Sequence, residues 1–234
     1  MSELKDFLDE TKNKYNLDID YKIYNIEEPL LEKKYGTIKI VKMNLSGDRG
    51  TIAIIPGFSF KSFSTMLKKL FEGFEYIKDK FTELYMICWS PQIKEIELNN
   101  IKDVLDKKTQ YRLNEQYRIE MAHLIDKIFR SQSITNFTLM GKSAGGTVAM
   151  YIASMNKEVK TLLLCCPGSN EKGKSLANRT DLEIKLSWNR DDDVIPFSIS
   201  DEYIKDFINQ KNKYTFYSYD EGGHELNVDF LKEV

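Results

Sequence analysis

The feature that most limits the fold of this sequence is the alternation of continuous apolar runs with amphipathic helical patterns. Continuous apolar runs are typical of strands that are covered on both faces, and they occur at residues 51–55, 84–89, 137–140, 159–166 and 182–188. Apolar residues at helical spacing lie between them, at residues 115–130, 144–155 and 200–209. Strands that alternate with helices predict an α/β fold with a mostly parallel sheet and helices on both faces.

Weaker patterns surround this alternation. Residues 3–15 predict an amphipathic helix, residues 21–26 and 37–45 half-exposed strands, and residues 213–219 an edge strand. A chain of 234 residues with 41% hydrophobic and 30% charged residues suits a single domain over 1–234, with a core that needs no disulfide or metal. Residues 90–113 are polar with scattered apolar positions, and we interpret them as a candidate small cap insertion.

Charge and cysteine content exclude several classes of protein. A net charge of −2 argues against a dedicated nucleic-acid-binding protein. The three cysteines, Cys88, Cys165 and Cys166, are odd in number and lie in apolar runs, which predicts buried reduced thiols. The N-terminal residues do not resemble a signal peptide, and no apolar run is long enough to span a membrane. We therefore expect a cytoplasmic protein; no pattern indicates its oligomeric state.

A serine motif carries the clearest chemical signal. Residues 141–145 read Gly-Lys-Ser-Ala-Gly and match G-x-S-x-G between an apolar run and a helical pattern, the setting of a nucleophile elbow. Such a turn exposes the Ser143 hydroxyl, and a side chain at Gly141 or Gly145 would collide with neighbouring backbone. The helix that follows would aim its first amides at a developing oxyanion.

With two downstream stretches, this motif resembles the alpha/beta-hydrolase superfamily, whose chain order is nucleophile, acid, histidine. Asp192 is followed by Asp193, two apolar residues and Pro196, which resembles the stretch that holds the family acid. His224, after two glycines, resembles the family histidine loop. The resemblance implies a serine hydrolase of the esterase or thioesterase type, with no metal and no organic cofactor.

The residues alone select one histidine as the candidate base, but they do not select one aspartate as the candidate acid. His123 falls on the polar side of its helical pattern and is expected in solvent, whereas His224 follows a predicted strand, where sheet enzymes keep catalytic groups. His224 is therefore the predicted base. Asp191, Asp192 and Asp193 all remain candidates for the acid that orients it, and the resemblance favours Asp192.

The resemblance also implies two oxyanion amides, those of Phe58 and Ala144. Lys142 departs from family usage, in which an aromatic residue, His, Asp or Gln is common before the nucleophile, and we expect its side chain at the pocket rim or in solvent. The apolar pocket candidates are Phe58, Phe60, Trp89 and Phe197, although such residues more often belong to the core.

A second motif competes with the serine motif. Residues 168–175 match G-x-x-x-x-G-K-[ST], the pattern of a phosphate-binding loop. A phosphate-binding loop must open a substantial helix, and residues 176–180 leave room for hardly more than one turn before the next predicted strand. We therefore interpret the segment as a solvated loop, which is also too short for a lid domain.

These observations predict hydrolysis of a carboxylic ester or thioester of a small acyl substrate, through an acyl-enzyme on Ser143 with His224 and Asp192. Two alternatives stay open. One is a non-catalytic binding module on the same fold, and the other is nucleotide binding through residues 168–175.

Overall fold

The computed structural model describes residues 2–26, 38–57, 60–89, 107–168, 176 and 179–234. The strands along the chain are β1 (Tyr21–Ile26), β2 (Ile38–Asn44), β3 (Thr51–Ile55), β4 (Glu83–Trp89), β5 (Phe137–Lys142), β6 (Val159–Cys165), β7 (Glu183–Asn189) and β8 (Lys213–Tyr219). They form an eight-stranded sheet in the order β1-β2-β4-β3-β5-β6-β7-β8. Strand β2 is antiparallel to β1 and β4, and all other neighbours are parallel. The predicted α/β class and mostly parallel sheet are confirmed.

Helices cover both faces of the sheet. They are α1 (Ser2–Lys14), α2 (Phe60–Glu72), α3 (Glu75–Lys78), α4 (Lys107–Ser131), α5 (Ala144–Met155) and α6 (Ser200–Asn209), with 3-10 segments at Phe197–Ile199 and Val228–Glu233. Helices α4, α5 and α6 pack in one apolar layer, and α1, α2, α3 and the C-terminal 3-10 segment pack in the other. In β3, Ala53 and Ile55 enter the first layer while Ile52 and Ile54 enter the second. This two-sided burial explains the continuous apolar run, because successive side chains of a strand point to opposite faces.

Three sequence predictions need revision. Helix α2 was not predicted, although its buried residues Phe63, Met66, Leu67 and Leu70 follow helical spacing. Strand β2 is largely buried rather than half-exposed, because it lies between β1 and β4. Helix α4 begins at Lys107 rather than at residue 115, so residues 107–113 of the candidate cap are helical, and the cap itself stays a prediction. Residues 90–106 lie outside the described part of the chain.

Other predictions are confirmed. The three cysteines are free and buried, and Lys213–Tyr219 is an edge strand. Within the described ranges, no helix is long and apolar enough to cross a membrane.

The sheet direction decides where polar loops meet. Strands β3 to β8 run parallel, so their carboxyl ends lie along one edge. The turn after β5 carries Ser143, the turn after β7 carries Asp192, and the turn after β8 carries His224. In parallel sheets this is the edge at which ligands bind.

Candidate active site

Ser143 occupies a strained turn between β5 and α5. Its φ of 53° and ψ of −127° lie where residues other than glycine are rare. The Ser143 amide donates to the Cys165 carbonyl (3.0 Å), and its carbonyl accepts from the amides of Gly146 and Gly168 (both 2.9 Å). These bonds hold the turn, and they leave the half-buried Ser143 side chain at the carboxyl edge of the sheet.

The glycines of the serine motif are required by close backbone contacts. A Cβ on Gly145 would lie 2.2 Å from the carbonyl oxygens of Ile55 and Pro56, at the end of β3. A Cβ on Gly141 would lie 2.6 Å from the Gly145 carbonyl oxygen and 2.7 Å from the Ala149 Cβ. The predicted collisions are confirmed, so the motif is needed to bring α5 close to β3.

Asp192 and His224 form a buried pair. The Asp192 Oδ2 lies 2.8 Å from the His224 Nδ1, and its Oδ1 accepts from the amides of Val194 (3.0 Å) and Ile195 (2.8 Å). The Asp192 side chain is 0% exposed and that of His224 is 15% exposed. Since a carboxylate only accepts hydrogen bonds, this contact places a hydrogen on Nδ1, and the tautomer with that single ring hydrogen has Nε2 as an acceptor.

The two neighbouring aspartates have other surroundings. The Asp191 carboxylate accepts from the amides of Gly222 (3.1 Å) and Gly223 (2.7 Å), and it ties the histidine loop to the end of β7. Asp193 is exposed. Of the three consecutive aspartates, Asp192 is thus the one whose carboxylate contacts His224.

Asn189 is a structural residue of the site that sequence reasoning missed. It is buried at the end of β7, and its amide donates to the carbonyl oxygens of Gly223 and Glu225 (both 2.9 Å). The two carbonyls flank His224, so Asn189 fixes the loop on both sides of the ring. The available signal for Asn189 was its position as a polar residue at the end of an apolar run. Its partners could not be predicted, because they are distant in sequence.

The structure contradicts one of the two positions expected for the Lys142 side chain, that in solvent, and its position at the pocket rim stays a prediction. Lys142 is 2% exposed, and its Nζ lies 3.3 Å from the Glu225 Oε2. Lys142 ends β5, an inner strand between β3 and β6, so its side chain enters the protein rather than solvent. Glu225, the residue after His224, supplies the opposite charge, which the sequence pattern could not reveal.

Cys166 also lies at this site. Its Sγ, an Asp192 carboxylate oxygen and a His224 ring nitrogen lie within 4.8 Å of one another, and these ligand types can hold a metal ion such as Zn²⁺. Oδ1 of Asp192 already accepts from two backbone amides and Oδ2 faces His224 Nδ1, so a metal would compete with the hydrogen bonds that hold the Asp192–His224 pair. Burial raises the pKa of the Cys166 thiol well above its ordinary value, the Asp192 carboxylate adds to the rise, and the positive charge of Lys142 opposes it.

The remaining predicted site residues are only partly placed. Ala144 is the first residue of α5, so its amide has no acceptor within the helix. Phe58 and the side chains of Phe60 and Trp89 lie outside the described residues. Although Ser143 and His224 share one edge of the sheet, the described residues include no hydrogen bond between the Ser143 hydroxyl and the His224 ring.

Two further predictions concern residues away from this pair. Phe197 is partly buried and packs against Phe216, and His123 is exposed on α4, as expected. In the competing motif, the Gly168 amide donates to Ser143, and residues 169–175 lie outside the described part of the chain. The described residues between this motif and β7 include no α-helix, which a phosphate-binding loop would require.

A mostly parallel sheet in this strand order, with a strained serine turn at its carboxyl edge, is the alpha/beta-hydrolase fold. The sequence model of the dienelactone hydrolase family matches residues 52–230. That match covers more than half of the chain, so the chain belongs to this family of hydrolases. No curated protein sequence matches the chain.

Solved structures share the fold at low sequence identity. A protein described as a predicted CIB-like hydrolase from Thermoplasma acidophilum is 17% identical, with a TM-score of 0.59 over 92% of this chain and 100% of that one. An alpha-beta serine hydrolase homologue from Coxiella burnetii is 12% identical, with a TM-score of 0.58 over 91% and 96%. A fungal esterase from Rhizomucor miehei is 13% identical, with a TM-score of 0.56 over 94% and 82%.

Proposed function

We propose that the protein hydrolyses a carboxylic ester or thioester of a small molecule through an acyl-enzyme on Ser143. The observation that carries the proposal is the buried Asp192–His224 pair, at the same edge of the sheet as the strained Ser143 turn. Membership of a hydrolase family supports the reaction class. The esterase named among the solved structures supports an ester bond as the target.

The proposed mechanism uses the acceptor nitrogen of His224. His224 Nε2 takes the hydroxyl proton as Ser143 Oγ attacks the carbonyl carbon, and the amides of Phe58 and Ala144 stabilise the oxyanion. The imidazolium then gives its proton to the departing alcohol or thiol, which leaves an ester on Ser143. Water, deprotonated by the same nitrogen, releases the acid and regenerates the hydroxyl. Asp192 holds the ring and stabilises its positive charge throughout.

Cys166 is the second candidate nucleophile, because its thiol lies close to the same acid and base. Its raised thiol pKa works against this role, since the thiolate and not the thiol is the nucleophile. Cys166 is also 2% exposed, whereas Ser143 is half-buried and occupies the elbow. These differences favour Ser143.

Steady-state hydrolysis of a p-nitrophenyl ester and of a thioester with the same acyl group tests the proposal. Ser143→Ala and His224→Ala should each lower kcat at least about 10³-fold, while Cys166→Ser should retain most of the activity. If Cys166→Ser loses activity and Ser143→Ala retains it, the nucleophile is Cys166 rather than Ser143. A folded wild-type protein that hydrolyses neither substrate and binds both would favour the binding-module alternative.

A further inference from the structure

Lys142 places a charged amino group inside the protein directly before the proposed nucleophile. The Lys142 side chain is 3% exposed, and its Nζ faces Glu225 Oε2 at 3.3 Å. That carboxylate oxygen is itself buried and makes no hydrogen bond within the described residues, so the ammonium is its charge partner. The Glu225 side chain as a whole is 38% exposed, so its carboxylate keeps part of its hydration, whereas the Lys142 charge is buried and would be costly without this partner.

The two members of this pair are the chain neighbours of the two proposed catalytic groups. Lys142 precedes Ser143, and Glu225 follows His224. Asn189, Asp191 and Asp192 tie the histidine loop to the end of β7, not to the serine turn. Between the serine turn, residues 141–146, and the histidine loop, residues 220–227, the described structure contains no other hydrogen bond or ion pair.

Packing alone does not account for a lysine at this position. Methionine would fill a similar volume at Lys142 without the cost of burying a charge, a cost that an ion pair does not always repay. What an ion pair adds is a defined distance between two segments. Here that distance is the separation between the serine turn and the histidine loop.

We infer that Lys142 and Glu225 are positioning residues, whose ion pair sets the distance between Ser143 Oγ and His224 Nε2. The inference rests on the proposed function. According to this inference, a lysine stands before the nucleophile, where the superfamily commonly has other residues, because it serves the geometry of proton transfer rather than substrate recognition. Proton transfer from Ser143 Oγ to His224 Nε2 requires the two atoms to lie within hydrogen-bond distance. Loss of the Lys142–Glu225 ion pair should therefore slow the chemical step and leave substrate binding largely unchanged.

The test measures phosphonylation of the protein by a fluorophosphonate over a range of probe concentrations. This separates the maximal rate, kinact, from the half-saturating concentration, KI. The variants are Glu225→Gln, Lys142→Met and the double variant, with melting temperatures measured in parallel. Lys42→Met is the matched control, because Lys42 pairs with Glu83 (2.5 Å) between β2 and β4, away from the serine turn.

Each single variant should lower kinact roughly 10- to 100-fold and change KI less than about threefold, because a small displacement of reacting groups costs this much. The double variant should lose no more than the worse single variant, since the two changes break one interaction. Lys42→Met should leave kinact unchanged. If Glu225→Gln does not fold, Glu225→Asp keeps the charge, shortens the reach by one methylene and should lower kinact in the same way.

Two other outcomes are distinguishable. Single variants that melt at lower temperature but keep the wild-type kinact would show a pair that only stabilises the fold, and would overturn the inference. A folded wild-type protein that the probe does not label would overturn the proposed function itself, and the inference with it.

Discussion

Replacing Asp192 by asparagine should abolish most of the activity while keeping the shape of the site. Asp192 Oδ1 accepts from two backbone amides, those of Val194 and Ile195. The side-chain oxygen of asparagine must stay at that position, because its NH₂ group would face two donors there. The NH₂ group then points at His224 Nδ1, which must become the acceptor. The ring proton moves to Nε2, where it blocks removal of the Ser143 proton.

The size of the effect follows from this tautomer. An enzyme whose base is held in the wrong tautomer loses about 10⁴-fold in kcat, which is about 5.5 kcal/mol of transition-state stabilisation. The assay is the initial rate of p-nitrophenyl ester hydrolysis, with circular dichroism to verify folding. KM should change far less than kcat, because the substrate does not contact the carboxylate.

Asp191→Asn is the matched control. The Asp191 carboxylate contacts Gly222 and Gly223 rather than His224, so the same change should lower kcat less than about tenfold. The reasoning is refuted if Asp192→Asn keeps kcat within about tenfold of wild type, or if both variants lose activity equally.

Three further predictions concern stability. Gly145→Ala places a Cβ 2.2 Å from two carbonyl oxygens. It should lower the free energy of unfolding by about 3 kcal/mol or prevent folding. A wild-type midpoint in urea unfolding would contradict this prediction. Arg179→Met removes the buried guanidinium that binds carbonyl oxygens at the end of α5 and at the start of β6. The free energy of unfolding should fall by about 2–4 kcal/mol in the same assay. Burial raises the pKa of the Cys88 and Cys165 thiols to about 12, from ordinary values of 9.0. Burial of the neutral thiols contributes fully to the free energy of unfolding below pH 9.0, and this contribution is lost as the pH rises to 12. The loss is at most about 1.4 kcal/mol per pH unit for each thiol. Cys165→Ala should reduce this alkaline loss, and an identical loss in the variant would contradict the assignment.

The sheet was predictable because its evidence is local. Strand β3 buries both faces, and this requirement appears in the sequence as five consecutive apolar or β-branched residues from Thr51 to Ile55. The strained turn was predictable for a similar reason, since Gly141 and Gly145 flank Ser143 at fixed spacing. Helix α2 was missed although Phe63, Met66, Leu67 and Leu70 carry its pattern, so that signal was available.

The contacts that join the loops were not predictable. Lys142 looks like a surface residue in sequence, and its burial depends on Glu225, which only the folded sheet brings near. Asn189 and Asp191 hold the histidine loop through contacts of the same long-range kind. The three consecutive aspartates differ in the structure because a turn points each side chain in a different direction, and composition carries no information on that.

The most direct test of the central claim is to label the protein with a fluorophosphonate, read the intact mass and map the modified peptide. We expect a single adduct on Ser143 in the wild-type protein, its retention in Cys166→Ser, and its loss in Ser143→Ala and His224→Ala. An adduct on another residue, or none on the folded wild-type protein, would contradict the claim that Ser143 is activated by the Asp192–His224 pair.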